Sequence, residues 1–94
     1  MIKVAVAGHN IPERKELVAE LFKVMKIGDT VKLEREPSNP FDRNAIRVFY
    51  KGHHIGYVGR KYIHLIPVDH DLEPAHIDNL YQADFMHIGI IILD

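Results

Sequence analysis

Residues 30–58, TVKLEREPSNPFDRNAIRVFYKGHHIGYV, decide the fold of this chain. Residues 30–35 and 45–51 alternate between apolar and polar or charged side chains, which is typical of strands with one buried face. The intervening PSNPFD contains two prolines and interrupts the alternation. KGHH at 51–54 has the composition of a tight turn, and the chain then returns as a third strand at 54–58. The stretch therefore predicts three consecutive strands joined by short connections.

Five further elements are expected on either side of this stretch. They are a strand at 2–8, helices at 13–26, 60–66 and 74–80, and a last strand at 82–93 whose apolar end suits burial on both faces. With few, short helices and strands separated by tight turns, the pattern predicts a mainly β (α+β) fold. We expect a small, strongly curved sheet or partly open β-barrel with two or three short helices, formed by residues 1–94 as one domain.

The composition excludes several classes of function. The chain has no cysteine, so disulfides, thiolate chemistry and Cys-ligated zinc are ruled out. The N-terminal residues do not resemble a signal peptide, and no apolar stretch approaches the ~20 residues that span a bilayer. We expect a soluble cytoplasmic protein that does not enter a membrane.

The net charge of −1 hides an uneven distribution of charge along the chain. Residues 31–61 carry seven Lys or Arg against three Asp or Glu, whereas residues 62–94 carry six acidic residues and no Lys or Arg. A basic middle segment is compatible with a face that binds anions, and it is equally compatible with an ordinary solvated surface.

The loop at 35–43 is predicted to be stiff. Pro37 and Pro40 fix their own φ and restrict the residue before each of them. The Asp42 carboxylate can accept hydrogen bonds from backbone amides two or three residues further on. In a purely structural interpretation, Asp42 closes the turn and Phe41 covers one end of the core. In a functional one, Phe41 stacks on a base while nearby arginines hold phosphates.

The segment LEREPSNPFDRNAIRVFYKGHHIGYVGR, residues 33–60, resembles the signature of the HIRAN domain. The pattern of that family is approximately R-E-P-x-N-P-[YF]-D-x-N-A-I-x-V, a short turn, and I-G-Y-[VIL]-x-[RK]. Each part is present here, and Gly28-Asp29 upstream also fits. The resemblance extends over about residues 7–65 and more loosely over the last strand.

The resemblance implies an OB-like barrel that binds single-stranded DNA and captures a free 3′ end, in a DNA repair or processing context. It places base stacking on Phe41, acceptance of the 3′-hydroxyl on Asp42, and phosphate binding on Arg60, with Asn39 beside them. Tyr57 would stack or contact phosphate. HIRAN domains also occur fused to repair translocases and nucleases, which implies a helicase or nuclease as a partner.

The chain departs from the family at the segment after the first strand. End-binding members carry a pair of tyrosines there, whereas this chain reads Val-Ala-Gly-His-Asn at 6–10. His9 would stack only weakly in their place, and Tyr81 or Phe85 near the last strand could complete the pocket. Tyr57 occupies a position that is His in some members.

Metal binding and catalysis have weak support in the sequence. Of seven histidines, only His70, flanked by Asp69 and Asp71, suggests a metal site, and three or four converging ligands would be needed. The pattern lacks a nucleophile with an adjacent base and a phosphate-binding glycine loop. We expect a protein that is not an enzyme and needs no metal or cofactor.

Two functional hypotheses follow. In the first, Phe41 and Tyr57 stack on bases, Arg35, Arg43 and Arg60 contact phosphates, and Asp42 accepts the 3′-hydroxyl of single-stranded DNA. In the second, the chain is a protein-interaction or assembly module that keeps the barrel without a DNA-end pocket. This second hypothesis includes homo-oligomers formed by pairing of the last strand, if that strand lies at an open edge.

Overall fold

A computed structural model describes residues 1–93 as six strands and two short helices. In chain order they are β1 (Ile2–Ala7), α1 (Lys15–Phe22), β2 (Thr30–Arg35), β3 (Ile46–Tyr50), β4 (His53–Val58), α2 (Arg60–Ile63), β5 (Ala75–Gln82) and β6 (Met86–Ile92). Both helices are shorter than the predicted 13–26 and 60–66. Within residues 1–93, none of the helices combines the length and the apolar character that a membrane crossing requires.

The strands form a closed antiparallel barrel in the order β1-β4-β3-β2-β5-β6. The barrel closes because β1 pairs with β4 through Val6 and Ala7 and with β6 along most of its length. The mainly β prediction of a small, strongly curved OB-like barrel with short helices is confirmed. The barrel is fully closed, whereas a partly open one was expected.

The core lies inside the barrel and follows the alternation of the decisive stretch. Ile46, Val48 and Tyr50 point inward from β3 and are at most 1% exposed, as the alternation predicts. Ile88, Ile90 and Ile92 of β6 are fully buried beside them. The outward face of β3 carries Arg47 and Phe49, and Phe49 lines a cavity that is described below.

The prediction of a helix at 74–80 is wrong, because these residues belong to β5. Ala75 and Ile77 face the core at 1% exposure each, and the register of β5 against β6 then shifts between Ile77 and Asn79. This bulge interrupts the two-residue alternation after only two inward positions, and Asp and Asn are poor strand formers. The alternation that indicates a strand is therefore short in this segment. In the barrel, β5 pairs with β2 on one side and with β6 on the other.

The last strand does not lie at an open edge. β6 pairs with β1 on one side and with β5 on the other, so its backbone groups are used within the barrel. The predicted range 82–93 also included the end of β5 and the turn before β6. Pairing of this strand between chains, the assembly route considered above, would require the barrel to open.

A phenol–carboxylate hydrogen bond joins the two ends of the β2–β3 hairpin. Tyr50 donates its hydroxyl to Asp29 Oδ2 at 2.7 Å, and the backbone N–H of Lys26 donates to the same oxygen at 2.9 Å. The bond from Tyr50 lowers the pKa of Asp29. Burial, followed by the hydrogen bond to Asp29, raises the pKa of Tyr50 to about 12.

We expect Tyr50 to ionise near pH 12 in the folded protein. Because its folded pKa exceeds the unfolded value, its stabilising contribution is complete below pH ~10 and is lost as the pH rises through the folded pKa. Alkaline titration followed by phenolate absorbance measures this directly. Burial also raises the pKa of Tyr57, so Tyr57→Phe is titrated as a control. The phenol that titrates near pH 12 should be absent from Tyr50→Phe and present in Tyr57→Phe, and the reverse pattern would contradict the assignment.

Candidate functional site

The loop between β2 and β3 is held by hydrogen bonds within itself. The Asn39 side-chain oxygen accepts the backbone N–H groups of Phe41 and Asp42 at 2.9 and 3.0 Å. Asp42 Oδ1 accepts the N–H of Asn44 at 2.9 Å, which is the short-range bond that its spacing predicts. The N–H of Ala45 donates to the Asp42 carbonyl at 3.1 Å. The loop is consequently a fixed support for the side chains at its tip.

Glu36 connects this loop to β3 and β4. Its Oε1 accepts the Asn39 side-chain amide at 2.6 Å and the Tyr57 hydroxyl at 2.9 Å. Its Oε2 lies 3.5 Å from the Arg47 guanidinium, which also pairs with Glu34. The hydrogen bonds from Asn39 and Tyr57 lower the pKa of Glu36. Glu36 therefore remains ionised at neutral pH and holds two side chains that line the cavity described next.

A cavity of about 270 Å³ lies between the loop, the end of β1 and the end of β4. We call it the loop cavity. Its polar and aromatic lining comes from Asn39, Phe41, Asp42, Tyr57 and Arg60. The remaining lining residues are small or apolar: Ala7, Gly8, Ala45 and Val58. Five of the nine residues proposed from the sequence are thus brought together around one cavity.

Phe41 and Asp42 present different chemistry to the loop cavity. Phe41 is 87% exposed, so it does not cover the core as the structural interpretation required, and its ring is open to a ligand. Asp42 is half-buried, and only its Oδ1 has a hydrogen-bond partner within the described residues. Its second oxygen can accept a hydroxyl. The Arg60 side chain is exposed and has no carboxylate partner among residues 1–93.

Four of the nine proposed residues lie outside the loop cavity: Arg35, Arg43 and His9, and also Tyr81, which is described in the next paragraph. Arg35 donates to the carbonyl of Pro67 at 2.9 Å, which links β2 to the segment after α2. Arg43 is exposed on the loop without lining the cavity. His9 is only 5% exposed, and its Nε2 lies 2.7 Å from the Met86 carbonyl, so it links the segment after β1 to the start of β6. The expectation that His9 stacks on a base does not fit this structure, because its side chain is buried.

Tyr81 and Phe85 line a neighbouring hollow rather than the loop cavity. Tyr81 stacks on His87 with ring centroids 4.6 Å apart, and Phe85 is 62% exposed. Arg60 and Ala7 line both the hollow and the loop cavity, so the two adjoin. Neither Tyr81 nor Phe85 therefore takes the place of the tyrosine pair that end-binding members of the family carry after the first strand. At that point of the loop cavity this chain has the small residues Ala7 and Gly8.

Sequence reasoning missed two residues that shape the site. Arg14 lies just before α1, donates to the Gly8 carbonyl at 2.8 Å, and places its guanidinium 5.8 Å from the centre of the Tyr57 ring. Glu36 precedes Pro37, and its place in the loop predicts only a restricted backbone. Neither role had a local signal, because each depends on Tyr57, which is far away in the sequence.

The weak metal candidate receives no support from the described part of the chain. Among residues 1–93, no three His, Asp or Glu side chains converge in a group that could hold a metal ion. Asp69, His70 and Asp71 lie between α2 and β5, away from the residues of the loop cavity.

The fold and this cavity define a small β-barrel binding module. The chain belongs to the HIRAN domain family, whose model matches residues 4–66. HIRAN domains are nucleic-acid-binding modules. A crystal structure of a Lactobacillus plantarum protein from a structural genomics consortium is similar in fold, with a TM-score of 0.59 and 20% identity over 96% of this chain and 89% of that one. No curated protein matches the chain significantly.

We expect Glu36→Gln to weaken the loop in a pH-dependent way. The folded pKa of Glu36 lies below its ordinary value of 4.5, so its contribution to stability is present at neutral pH and is lost as the pH falls through the folded pKa. The variant should melt at a lower temperature than the wild type at pH 7, and the difference should shrink as the pH falls below the ordinary value of 4.5. Thermal melts across this range test the expectation; a constant difference would contradict it.

Proposed function

We propose that this protein binds single-stranded DNA and captures its free 3′-hydroxyl end in the loop cavity. The observation that supports this most strongly is the convergence of Phe41, Asp42 and Arg60 on one cavity. An exposed ring, a carboxylate and a guanidinium offer a base-stacking surface, a hydroxyl acceptor and a phosphate partner respectively.

The carboxylate supplies the selectivity in this proposal. Asp42 would repel a terminal phosphate, whereas its second oxygen can accept the hydrogen of a terminal hydroxyl. The stiff loop supports the same role. Asn39 fixes the backbone at Phe41 and Asp42, so little conformational entropy is lost when the DNA end binds.

The cavity lacks the paired tyrosines that the end-binding members of the family carry, and Tyr57 supplies an aromatic ring in this chain. Its hydroxyl is engaged by Glu36 and its ring lines the cavity, so it contributes stacking rather than a hydrogen bond to phosphate. The space beside Ala7 and Gly8 leaves the cavity wider than it would be with large residues there. We expect the affinity for a terminal base to rest chiefly on Phe41.

The proposal is one of binding and assigns no reaction to the cavity. In a DNA repair or processing context, such a module would deliver a 3′ end to a helicase or nuclease. The acidic residues of the last third, 62–94, would oppose unspecific binding, because that binding depends on neutralising phosphates.

Fluorescence anisotropy at low salt tests the proposal. Three labelled ligands are compared: a single strand with a free 3′-hydroxyl, the same strand with a 3′-phosphate, and a blunt duplex. We expect tight binding of the first only, weakening as salt is added. Equal binding of all three would mean that a basic surface holds DNA without recognising its end. Binding of none would favour the alternative of a protein-interaction module.

We expect Asp42→Asn to reduce the preference for the hydroxyl end more than it reduces binding as a whole. Asparagine can still accept from the Asn44 N–H, so the loop should persist, while repulsion of a 3′-phosphate is removed. The ratio of dissociation constants for phosphate and hydroxyl ends should fall about tenfold, the equivalent of ~1.4 kcal/mol. An unchanged ratio would show that Asp42 does not read the end.

A further inference from the structure

The outer face of β3 and β4 carries a continuous row of aromatic rings that begins at the loop cavity. The ring of Tyr57 meets that of His54 edge-on, with centroids 5.1 Å apart. His54 in turn lies 5.3 Å from Phe49, tilted by 34°. The strand register explains the row, because Phe49 on β3 pairs directly with His54 on β4. The row therefore leads away from the loop cavity across the barrel surface.

The row ends at a second, larger cavity. This second cavity has a volume of about 590 Å³ and is lined by Phe49 together with Tyr50, Lys32 and Lys51, among others. Lys32 is the direct partner of Phe49 across the β2–β3 pair, and Lys51 follows the end of β3. An aromatic side chain beside two lysines is the combination that holds a base and its phosphates.

The carboxylates of this face, which include Asp29 and Glu34 in the lining of the second cavity, each have a partner within the protein. Glu34 and Glu36 both interact with Arg47, and Asp29 accepts hydrogen bonds from Tyr50 and Lys26. Lys32 and Lys51 are exposed and form no ion pair within residues 1–93, although the charge of Lys51 is near enough to Asp29 to lower the pKa of that carboxyl. Burial, followed by the nearby Arg14 charge, lowers the pKa of His54, so its ring is neutral at pH 7.

We propose that a single strand whose end occupies the loop cavity continues along the outer face of β3 and β4, and places a further base against Phe49 beside Lys32 and Lys51. The proposal rests on the proposed function and extends it to a second subsite. Two ring spacings separate Tyr57 from Phe49, so at the ~3.4 Å rise of stacked nucleotides the second subsite takes a base roughly three nucleotides from the end. A dinucleotide is too short to reach it.

Two variants test the second subsite. Phe49→Leu keeps an apolar side chain and removes the ring, and the double variant Lys32→Gln/Lys51→Gln removes two charges from an exposed surface. The control, Lys3→Gln/Lys23→Gln, removes two exposed charges from β1 and from the residue that follows α1, each of which lies near a carboxylate. Thermal melts establish that each variant is folded. Dissociation constants are measured for a dodecanucleotide by anisotropy and for a dinucleotide by NMR titration, both with free 3′-hydroxyl ends.

We expect Phe49→Leu to weaken dodecanucleotide binding by about 5- to 10-fold, the lower part of the range for loss of one stacked base, and to leave dinucleotide binding unchanged. The lysine variant should reduce the salt slope of dodecanucleotide binding by ~1.4, or ~0.7 for each phosphate contact, and the control should not. If the wild type binds the DNA but both variants behave like the control, the second subsite is disproved and the end cavity stands. If the wild type binds neither DNA, both proposals fail.

Discussion

Replacing Phe41 by Ala is expected to weaken the binding of single-stranded DNA by roughly 5- to 150-fold, since one base–aromatic stack is worth ~1–3 kcal/mol. Phe41 is 87% exposed at the tip of a loop that other residues hold in place. Its ring therefore contributes to a ligand far more than to the core. The expected result is a large loss of affinity with an unchanged melting temperature.

The Phe85→Ala variant serves as the control for the loss of an exposed aromatic ring. Phe85 is 62% exposed and lies in the neighbouring hollow rather than in the loop cavity, so Phe85→Ala removes a similar side chain from outside the site. Anisotropy with the free 3′-hydroxyl strand compares the two variants. Equal losses in both would mean that the end is not held by Phe41, and a fall in melting temperature for Phe41→Ala would mean that the ring has a structural role.

The second large effect is expected on stability, from Gly56→Ala in β4. Gly56 has φ +155°, and a Cβ added there would lie 2.5 Å from the Ala7 carbonyl oxygen and 2.7 Å from a Val6 methyl group. Both contacts belong to β1, and β1 pairs with β4 only through Val6 and Ala7. We expect the variant to lose about 3–5 kcal/mol of unfolding free energy through strain and overpacking, a large share of the total for a small domain.

Gly52→Ala provides the matched comparison in the same hairpin. Gly52 has φ +82°, yet nothing lies within 4 Å of an added Cβ. The Gly52→Ala variant should therefore lose only ~1–2 kcal/mol of unfolding free energy, which is what the left-handed conformation costs a residue with a side chain. Urea unfolding measures both variants. Similar losses at the two positions would show that the β1–β4 contact is not the cause.

The parts of the fold that could be predicted are those with a local signal. The two-residue alternation located β2 and β3 and identified the inward face of β3 correctly, and the turn composition of KGHH located β4. The bond between Asp42 and the Asn44 N–H was also predictable, because it joins residues two apart. By contrast, β5 carries a bulge after Ile77, and its alternation is too short to distinguish a strand from a helix.

The parts of the site that could not be predicted depend on contacts between distant residues. Glu36 meets Tyr57 across a separation of 21 residues, and no spacing rule links them. His9 was expected at the pocket because of its place after β1, and the barrel instead turns it inward to Met86, 77 residues away. The resemblance to the HIRAN domain supplied what spacing could not, since it grouped Asn39, Phe41, Asp42, Tyr57 and Arg60 before any geometry was known.

The central claim is that the loop cavity holds the free 3′ end of a single strand. NMR titration of the isotopically labelled protein with a short single strand tests both the location and the end preference. We predict amide shifts concentrated in residues 39–45 and 57–60, including the Asn44 N–H that donates to Asp42, and far smaller shifts when the strand ends in a 3′-phosphate. Shifts centred elsewhere on the barrel, or equal shifts with both strands, would contradict the claim.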